Sequence, residues 1–443
     1  MRFALWRDRL VLVVLALLPW QARYIKESAE LLGAPWEQGT ASLFALEVLI
    51  LIALGLHLLA TASRCELKKS GAPIWLQLAA ILPIYAFISV FWAYDTVGAL
   101  FSAIHLFEGY ALAYLIWVSG VRLASALAAF AIGAAATSAL GLWQSFTQTS
   151  FDSTWLGIAS HPVQEAGVSV VETASGRHLR AYGTLPHPNV LGAYAAAGLV
   201  AVLALASDLS PAASAKGEAQ KSRRLLLPLA GLIAAALVAT FSRSAWLAAL
   251  VAVGFALAVP RAVDKAARFR LRPVLACAAL CAALVAALSL PIIGARLTGE
   301  GRLESKSIKE RTSSIADGYD ILRSHIALGT GVGNYLPTVF IEFGFPEDPY
   351  AVQPPHLAPL LVGAELGFFG LAILLGFVVA WWFDAIWLMR RARSARVAIT
   401  AALPIVIIIA ACFDHYPYDI FAGTMLTGAL FGLFLKAGEE SGD

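Results

Sequence analysis

Arg180, Arg243, Arg311 and His356 stand beside or near long apolar stretches, where none is needed for solubility. Arg180 opens the segment Arg180-Ala-Tyr-Gly-Thr-Leu-Pro-His187-Pro-Asn189-Val-Leu-Gly192, which runs straight into the apolar stretch Ala193 to Ala206. Proline fixes φ and glycine admits unusual φ, so this backbone is shaped. Ionisable residues at the threshold of a membrane span are functional candidates by default. Arginine presents five fixed donors that match phosphate or carboxylate bidentately, and it stays charged. His356 follows Pro354-Pro355 and immediately precedes an apolar stretch, which holds its ring where a bilayer surface begins. An imidazole titrates near working pH and suits a general base. Cations to hold an anion and a base to take a proton are the chemistry these positions offer.

Each has a plainer reading beside it. Arg243, in Ser242-Arg243-Ser244, serves equally as an interfacial snorkel or a salt-bridge partner. Arg311 neighbours Lys306, Lys309 and Glu310, as a solvated helix face would. His187 also fits a helix-start residue that orders the Pro188-Asn189 turn. Six of the eight histidines (His161, His178, His187, His325, His356 and His415) fall in the same set of loops. Asp95, Glu365, Asp414 and Asp419 read as helix caps or ion-pair partners. No D-x-D pair and no His/Asp cluster with metal spacing is present, so no metal site and no cofactor is expected.

The elements that position these residues are membrane helices. Of the 443 residues, 59% are hydrophobic and 14% charged, against roughly 25% charged in a soluble domain. Twelve spans are expected, near 10–20, 41–60, 73–93, 99–118, 124–145, 188–206, 225–239, 244–259, 273–294, 358–388, 398–412 and 419–435, with no cleavable signal. Leu225 to Val259 as one helix would reach about 52 Å, far beyond a bilayer core. Arg223, Arg224 and Arg261 flank it on one side, so it reads as a hairpin turning at Ser242-Arg243-Ser244. Leu357 to Met389 reads as a single helix whose first turns, with Glu365, project from the membrane or lie at its interface.

With both termini cytoplasmic, the inner segments hold 21 Lys and Arg in 74 residues and the outer segments 11 in 139. That asymmetry has the direction the positive-inside rule demands. The net charge of +3 therefore reports orientation and not a nucleic-acid surface. Cys65, Cys277, Cys281 and Cys412 are scattered and imply packing, not a disulfide framework. Two long outer loops remain, about 146–187 and 295–356. Within the second, Glu304 to Ala327 has helical, amphipathic spacing and closes on Gly329, Gly331 and Gly333, and Pro346, Pro349, Pro354 and Pro355 make the approach to the next span irregular. The chain thus divides into spans one to nine (1–294), an outer loop (295–356) and spans ten to twelve with a cytoplasmic tail (357–443).

At these residues the chain resembles the O-antigen ligase family, which also holds O-antigen polymerases and protein O-oligosaccharyltransferases. The resemblance rests on Arg180-Ala-Tyr-Gly-Thr with His187-Pro-Asn-x-Leu-Gly192, Phe241-Ser-Arg-Ser-Ala-Trp246, Arg311, Gly331-Val-Gly-Asn-Tyr335, Pro355-His356 and Glu365-x-Gly367. One departure is Leu357, where the family's histidine is often followed by Asn. The resemblance implies an all-α integral membrane glycosyltransferase of the GT-C type in a bacterial inner membrane, with its site facing the periplasm. It would move a glycan from undecaprenyl pyrophosphate to a sugar hydroxyl of lipid A–core, without metal and with inversion. His356 would be the base and Arg180 and Arg243 the pyrophosphate clamps, with His187, Asn189 and Arg311 as further substrate-binding residues. Ligase is favoured over polymerase. Phe368, Phe369, Trp381, Trp382 and Phe383 offer a lining for the acceptor's opening, or ordinary lipid-facing packing. The rival of another class is a lipid-linked glycan transporter; against it, no repeat relates the two halves, and the polar residues gather at one surface.

Overall fold

The computed structural model describes residues 2–31, 34–36, 39–63, 71–208, 218–259, 262–299, 302–344 and 353–442. Cys65, Arg261, Pro346 and Pro349 lie outside them. The apolar runs fold as helices, which satisfy their backbone internally as a bilayer requires. In chain order these are α1 (Arg2–Ala16), α2 (Ala45–Ala62), α3 (Ile74–Ser89), α4 (Thr96–Val118), α5 (Leu123–Thr147), α6 (Pro188–Ser207), α7 (Glu218–Ala239), α8 (Arg243–Ala258) and α9 (Lys265–Leu288). They continue with α10 (Leu290–Thr298), α11 (Arg302–Ser324), α12 (Tyr335–Phe343), α13 (Ala358–Arg391), α14 (Ala395–Thr400), α15 (Leu403–Ala411), α16 (Tyr416–Asp419) and α17 (Phe421–Gly442). Small antiparallel ribbons decorate the loops, among them Val170–Thr173 with Gly176–Leu179.

Among the described residues eight helices are long and apolar enough to cross a membrane: α2, α3, α4, α5, α6, α9, α13 and α17, with α3 extended to Trp92. Three shorter apolar helices accompany them, Arg224–Ala239, Arg243–Ala258 and Ala395–Ala411. This is a multi-pass, all-α membrane protein. The first expected span differs most. Its helix starts at Arg2 and carries Arg7-Asp8-Arg9 within it, with Arg7 buried against Asp8 and His57.

α6 is the central post. Nearly all of it is buried, and its alanines and glycines let α5, α7 and α8 approach closely. The chain turns where expected, α7 ending at Ala239, Phe241 turning with φ +48° and α8 starting at Arg243, but the two helices splay and each packs on α6 rather than on the other. The expected amphipathic helix is α11. The expected single helix at 358–388 is broken instead. Gly367 has φ +63°, which frees the Ala364 and Glu365 carbonyls to accept from the Thr330 and Gly331 amides at 3.1 and 2.8 Å. A Cβ on Gly367 would lie 2.4 Å from the Ala327 carbonyl oxygen, so glycine is required there on two counts. Glu365 does not project outward. It is buried, accepts from the Gly333 and Tyr335 amides and the Tyr418 hydroxyl, and pins the glycine loop to the start of α13. His356 lies two residues before that start.

Candidate active site

Four side chains from distant segments form one hydrogen-bonded string. Arg180 leaves the ribbon that ends at Leu179 and is buried. Its Nε donates to the Thr240 carbonyl at 2.7 Å, its Nη1 to the Ser169 hydroxyl at 2.6 Å and its Nη2 to Asn189 Oδ1 at 2.7 Å. Asn189, in the first turn of α6, turns its Nδ2 to Asp414 Oδ2 at 2.7 Å. Asp414 Oδ1 lies 3.2 Å from His356 Nδ1. His356 Nε2 faces the Gln353 side-chain amide at 3.3 Å. The string runs from a cation to a base through a fixed amide and a buried carboxylate.

Electrostatics sorts the neighbouring histidines. Burial opposes a charge on His415, but Asp419, at 2.8 and 2.9 Å from Nδ1, and Asp414 outweigh it and raise its pKa to about 9. Burial would also push the Asp414 carboxyl up. The hydrogen bond and charge of His356, with His415 and His187, reverse that and hold it well below the usual carboxylate range. His187 is pushed well below its ordinary value by burial and then by Arg180. It serves as the N-cap of α6, its Nδ1 accepting the Asn189 amide at 3.1 Å, which matches the helix-start reading. Burial and then the charge of Arg296 depress the Arg180 guanidinium, as expected for a cation crowded by others.

Asn189 also faces a cavity of about 330 Å³, which Ser242, Arg243, Arg296, Arg311 and Phe413 help to line. The salt-bridge reading of Arg243 matches its pairing with Glu304 at 2.6 Å, and the side chain also borders the cavity. Arg311 is not simply a solvated face: its Nε is buried and has no hydrogen-bond partner among the described residues. The structure thus brings Arg180, Asn189 and His356 together, and Arg243 and Arg311 around the adjoining cavity.

Sequence reasoning assigned Asp414 no chemistry and missed Arg296, Glu304 and His415. Asp414 is 58 positions from His356, so local spacing could not pair them. The expectation that no metal-ligating cluster exists needs correction for the same reason. His356, Asp414 and His415 present ligand atoms all within 4.8 Å of one another, a set that could hold a metal ion. Both Asp414 oxygens are already engaged by protein groups, and His415 Nδ1 is turned to Asp419, so the set is also complete as a hydrogen-bonded dyad. Asp95 is a cap, accepting from the Val97 and Gly98 amides, and its own amide ties the Asn334 side chain to α4.

The described residues thus place a buried carboxylate–imidazole pair beside a cluster of arginines in a multi-pass membrane protein, an arrangement with the chemistry to meet an anion and to move a proton. Residues 228–375 match the family model described as O-antigen ligase, and the chain is consistent with a member of that family. The match spans Arg243, Arg296, Glu304, Arg311, His356 and Gly367, and it supports a glycosyltransferase-like activity of the ligase or polymerase type. The family implies lipid-linked glycan and lipid A–core substrates. No curated protein matches the chain.

Proposed function

We propose that this protein is an O-antigen ligase of the bacterial inner membrane, transferring a glycan from undecaprenyl pyrophosphate to a sugar hydroxyl of lipid A–core on the periplasmic side. The observation that carries the reading is the string Arg180–Asn189–Asp414–His356. With Nδ1–H donated to Asp414, His356 keeps a lone pair on Nε2, and the carboxylate stabilises the imidazolium that forms. Nε2 takes the proton of the acceptor hydroxyl as its oxygen attacks the anomeric carbon. The bond from that carbon to the pyrophosphate oxygen breaks on the opposite face, which inverts the centre. The electron pair leaves with the pyrophosphate, whose growing charge meets Arg180 and Arg243.

Two lipids must reach this site, and an apolar cavity of about 300 Å³ between α3, α4, α13 and α17 supports that requirement. Tyr418 and Ala358 line it near the dyad, and Phe377 and Phe431 line it deeper. Of the aromatic flank offered either as a lining or as lipid-facing packing, Trp381 is buried against Phe431 and Phe434, while Phe368, Phe369 and Phe383 are exposed, which favours the packing reading.

Purified full-length protein given undecaprenyl-pyrophosphate glycan is expected to transfer it to lipid A–core and not to lengthen the donor. Chain growth on the polyprenyl carrier without lipopolysaccharide would make it a polymerase.

A further inference from the structure

Glu304 stands where an anion belongs. It lies on the first turn of α11, buried, and divides its carboxylate between two arginines: Oε1 accepts from Arg243 Nη2 at 2.6 Å and Oε2 accepts from Arg296 Nη1. Neither guanidinium is free to swing away. Arg243 Nη1 donates to the Arg296 carbonyl at 2.8 Å, and Arg296 Nε donates to the Phe241 carbonyl at 3.2 Å. Both forks are therefore aimed at one point, the Glu304 carboxylate, while the two arginines themselves line the adjoining cavity together with Arg311, whose Nε is buried and has no hydrogen-bond partner among the described residues. Arg243, Arg296 and Arg311, which line the cavity together, outnumber this single carboxylate. The cluster suits more negative charge than Glu304 carries, and a pyrophosphate diester is a dianion that gains charge as it departs.

We propose that Arg296 is a further donor-binding residue, and that Glu304 is the protein's own stand-in for a donor phosphate, displaced from Arg243 and Arg296 when the lipid pyrophosphate arrives. This rests on the reading of the chain as a transferase of pyrophosphate-linked glycans. A buried arginine such as Arg296 is costly without an anion, so Glu304 neutralises it, and the half-buried Arg243 with it, in the resting site. A phosphate brings more charge and more acceptor oxygens to the same forks, and takes them over. Because the carboxylate competes, it weakens donor binding, and after transfer it drives the spent carrier off by returning to the arginines. The first turn of α11 moves with it.

The test measures binding of farnesyl pyrophosphate, a short-chain probe, to the full-length protein in detergent, with farnesol as the uncharged control. Glu304→Gln is expected to tighten Kd about tenfold, and Arg296→Gln to weaken it about tenfold, the scale of one charged hydrogen bond. Farnesol binding should not change. An unchanged or weaker Kd in Glu304→Gln overturns the proposal, because a purely structural carboxylate would leave the arginines misaligned. Should that variant fail to fold, hydrogen exchange on the wild type decides. Farnesyl pyrophosphate, and not farnesol, should accelerate exchange in the first turn of α11; protection or no change there overturns the idea. If wild type binds and Arg180→Ala does not, but Glu304→Gln is neutral, only the stand-in role falls. If wild type does not bind the probe, the donor reading falls with it.

Discussion

Three imidazoles gather around Asp414, and their other partners divide the work among them. His415 is held charged by Asp419 and Asp414, so it has no lone pair to offer at neutral pH. His187 spends its Nδ1 on the α6 cap. His356 pairs Nδ1 with Asp414, and its Nε2 meets only the side chain of Gln353 among the described residues, a neighbour that an acceptor hydroxyl would replace. His356→Ala is therefore expected to abolish glycan transfer while donor binding persists, and Asp414→Asn to lower turnover without abolishing it. Activity should survive chelator, as a hydrogen-bonded dyad requires. Loss in EDTA restored by a divalent cation would instead make His356, Asp414 and His415 metal ligands. Arg180→Ala and Arg243→Ala should each lower turnover by about 10²-fold or more, the scale for removing one donor to a developing anion. Arg→Lys should rescue only partly, since a point charge does not reproduce the fork. Normal transfer by a well-expressed Arg243→Ala protein would remove that residue from the clamp.

The same cluster makes a pH prediction. The folded pKa of His415, about 9, lies above its ordinary 6.5, so its ion pairs stabilise the fold fully below about 6.5. That contribution fades as pH rises through about 9. Asp414, held low, runs the other way: its contribution is present above its ordinary 3.8 and is lost only in strong acid. Thermal unfolding in detergent should show Tm falling from pH 7 to pH 10, with a flatter and lower profile for His415→Gln. Parallel profiles would show that His415 is not charged in the fold. Residues of this kind were only partly legible beforehand. Arg180, Arg243 and His356 stood out because a charged or titratable group beside an apolar run asks for a reason, even where, as for Arg243, a snorkel or a salt bridge is an equal one. Arg296 and Glu304 read as ordinary loop and helix-surface charges, because only the fold buries them together.

At the scale of elements, the turn between α7 and α8 could be read from sequence, because the length and basic flanks of that run allow no single span. The break in α13 could not. Gly367 sits inside a continuous apolar run, and nothing local distinguishes a kink from a packing glycine. Its reason is tertiary: the bend opens two carbonyls, and the loop at Thr330 and Gly331 closes on them, so the entry to α13 is fixed just after His356. Gly367→Ala must adopt a positive φ and meets a backbone oxygen, a combined cost of about 2 kcal/mol or more. The expected outcome is a lower Tm together with loss of transfer, since the loop and His356 move as one. Wild-type stability in Gly367→Ala would mean that the kink is not needed.

For the molecule as a whole, the site itself constrains the path of the chain. Arg180 contacts Thr240, Arg243 contacts Glu304, and Asp414 contacts both Asn189 and His356. The loops that carry them must share one face of the bundle. α6 leaves that face and the chain is back at Thr240, so α7 has to cross; α8 leaves again and α9 returns before Arg296. α13 departs after His356, and α14 with α15 brings the chain back to Asp414. The short apolar helices are therefore crossings in the proposed topology, although length alone does not mark them so. In that proposed topology Arg180, Thr240, Arg243, Glu304, His356 and Asp414 lie on one side, the side to which the Lys and Arg partition independently points. A reporter that works only in the periplasm should be active when fused after Gly176 or Gly329. Fused after Ala266, between α8 and the body of α9, it should be silent. Activity at Ala266 would put α8 and α9 on the wrong sides and separate Arg243 from the face that holds Arg180 and His356, and the proposed clamp and base would then no longer share a compartment.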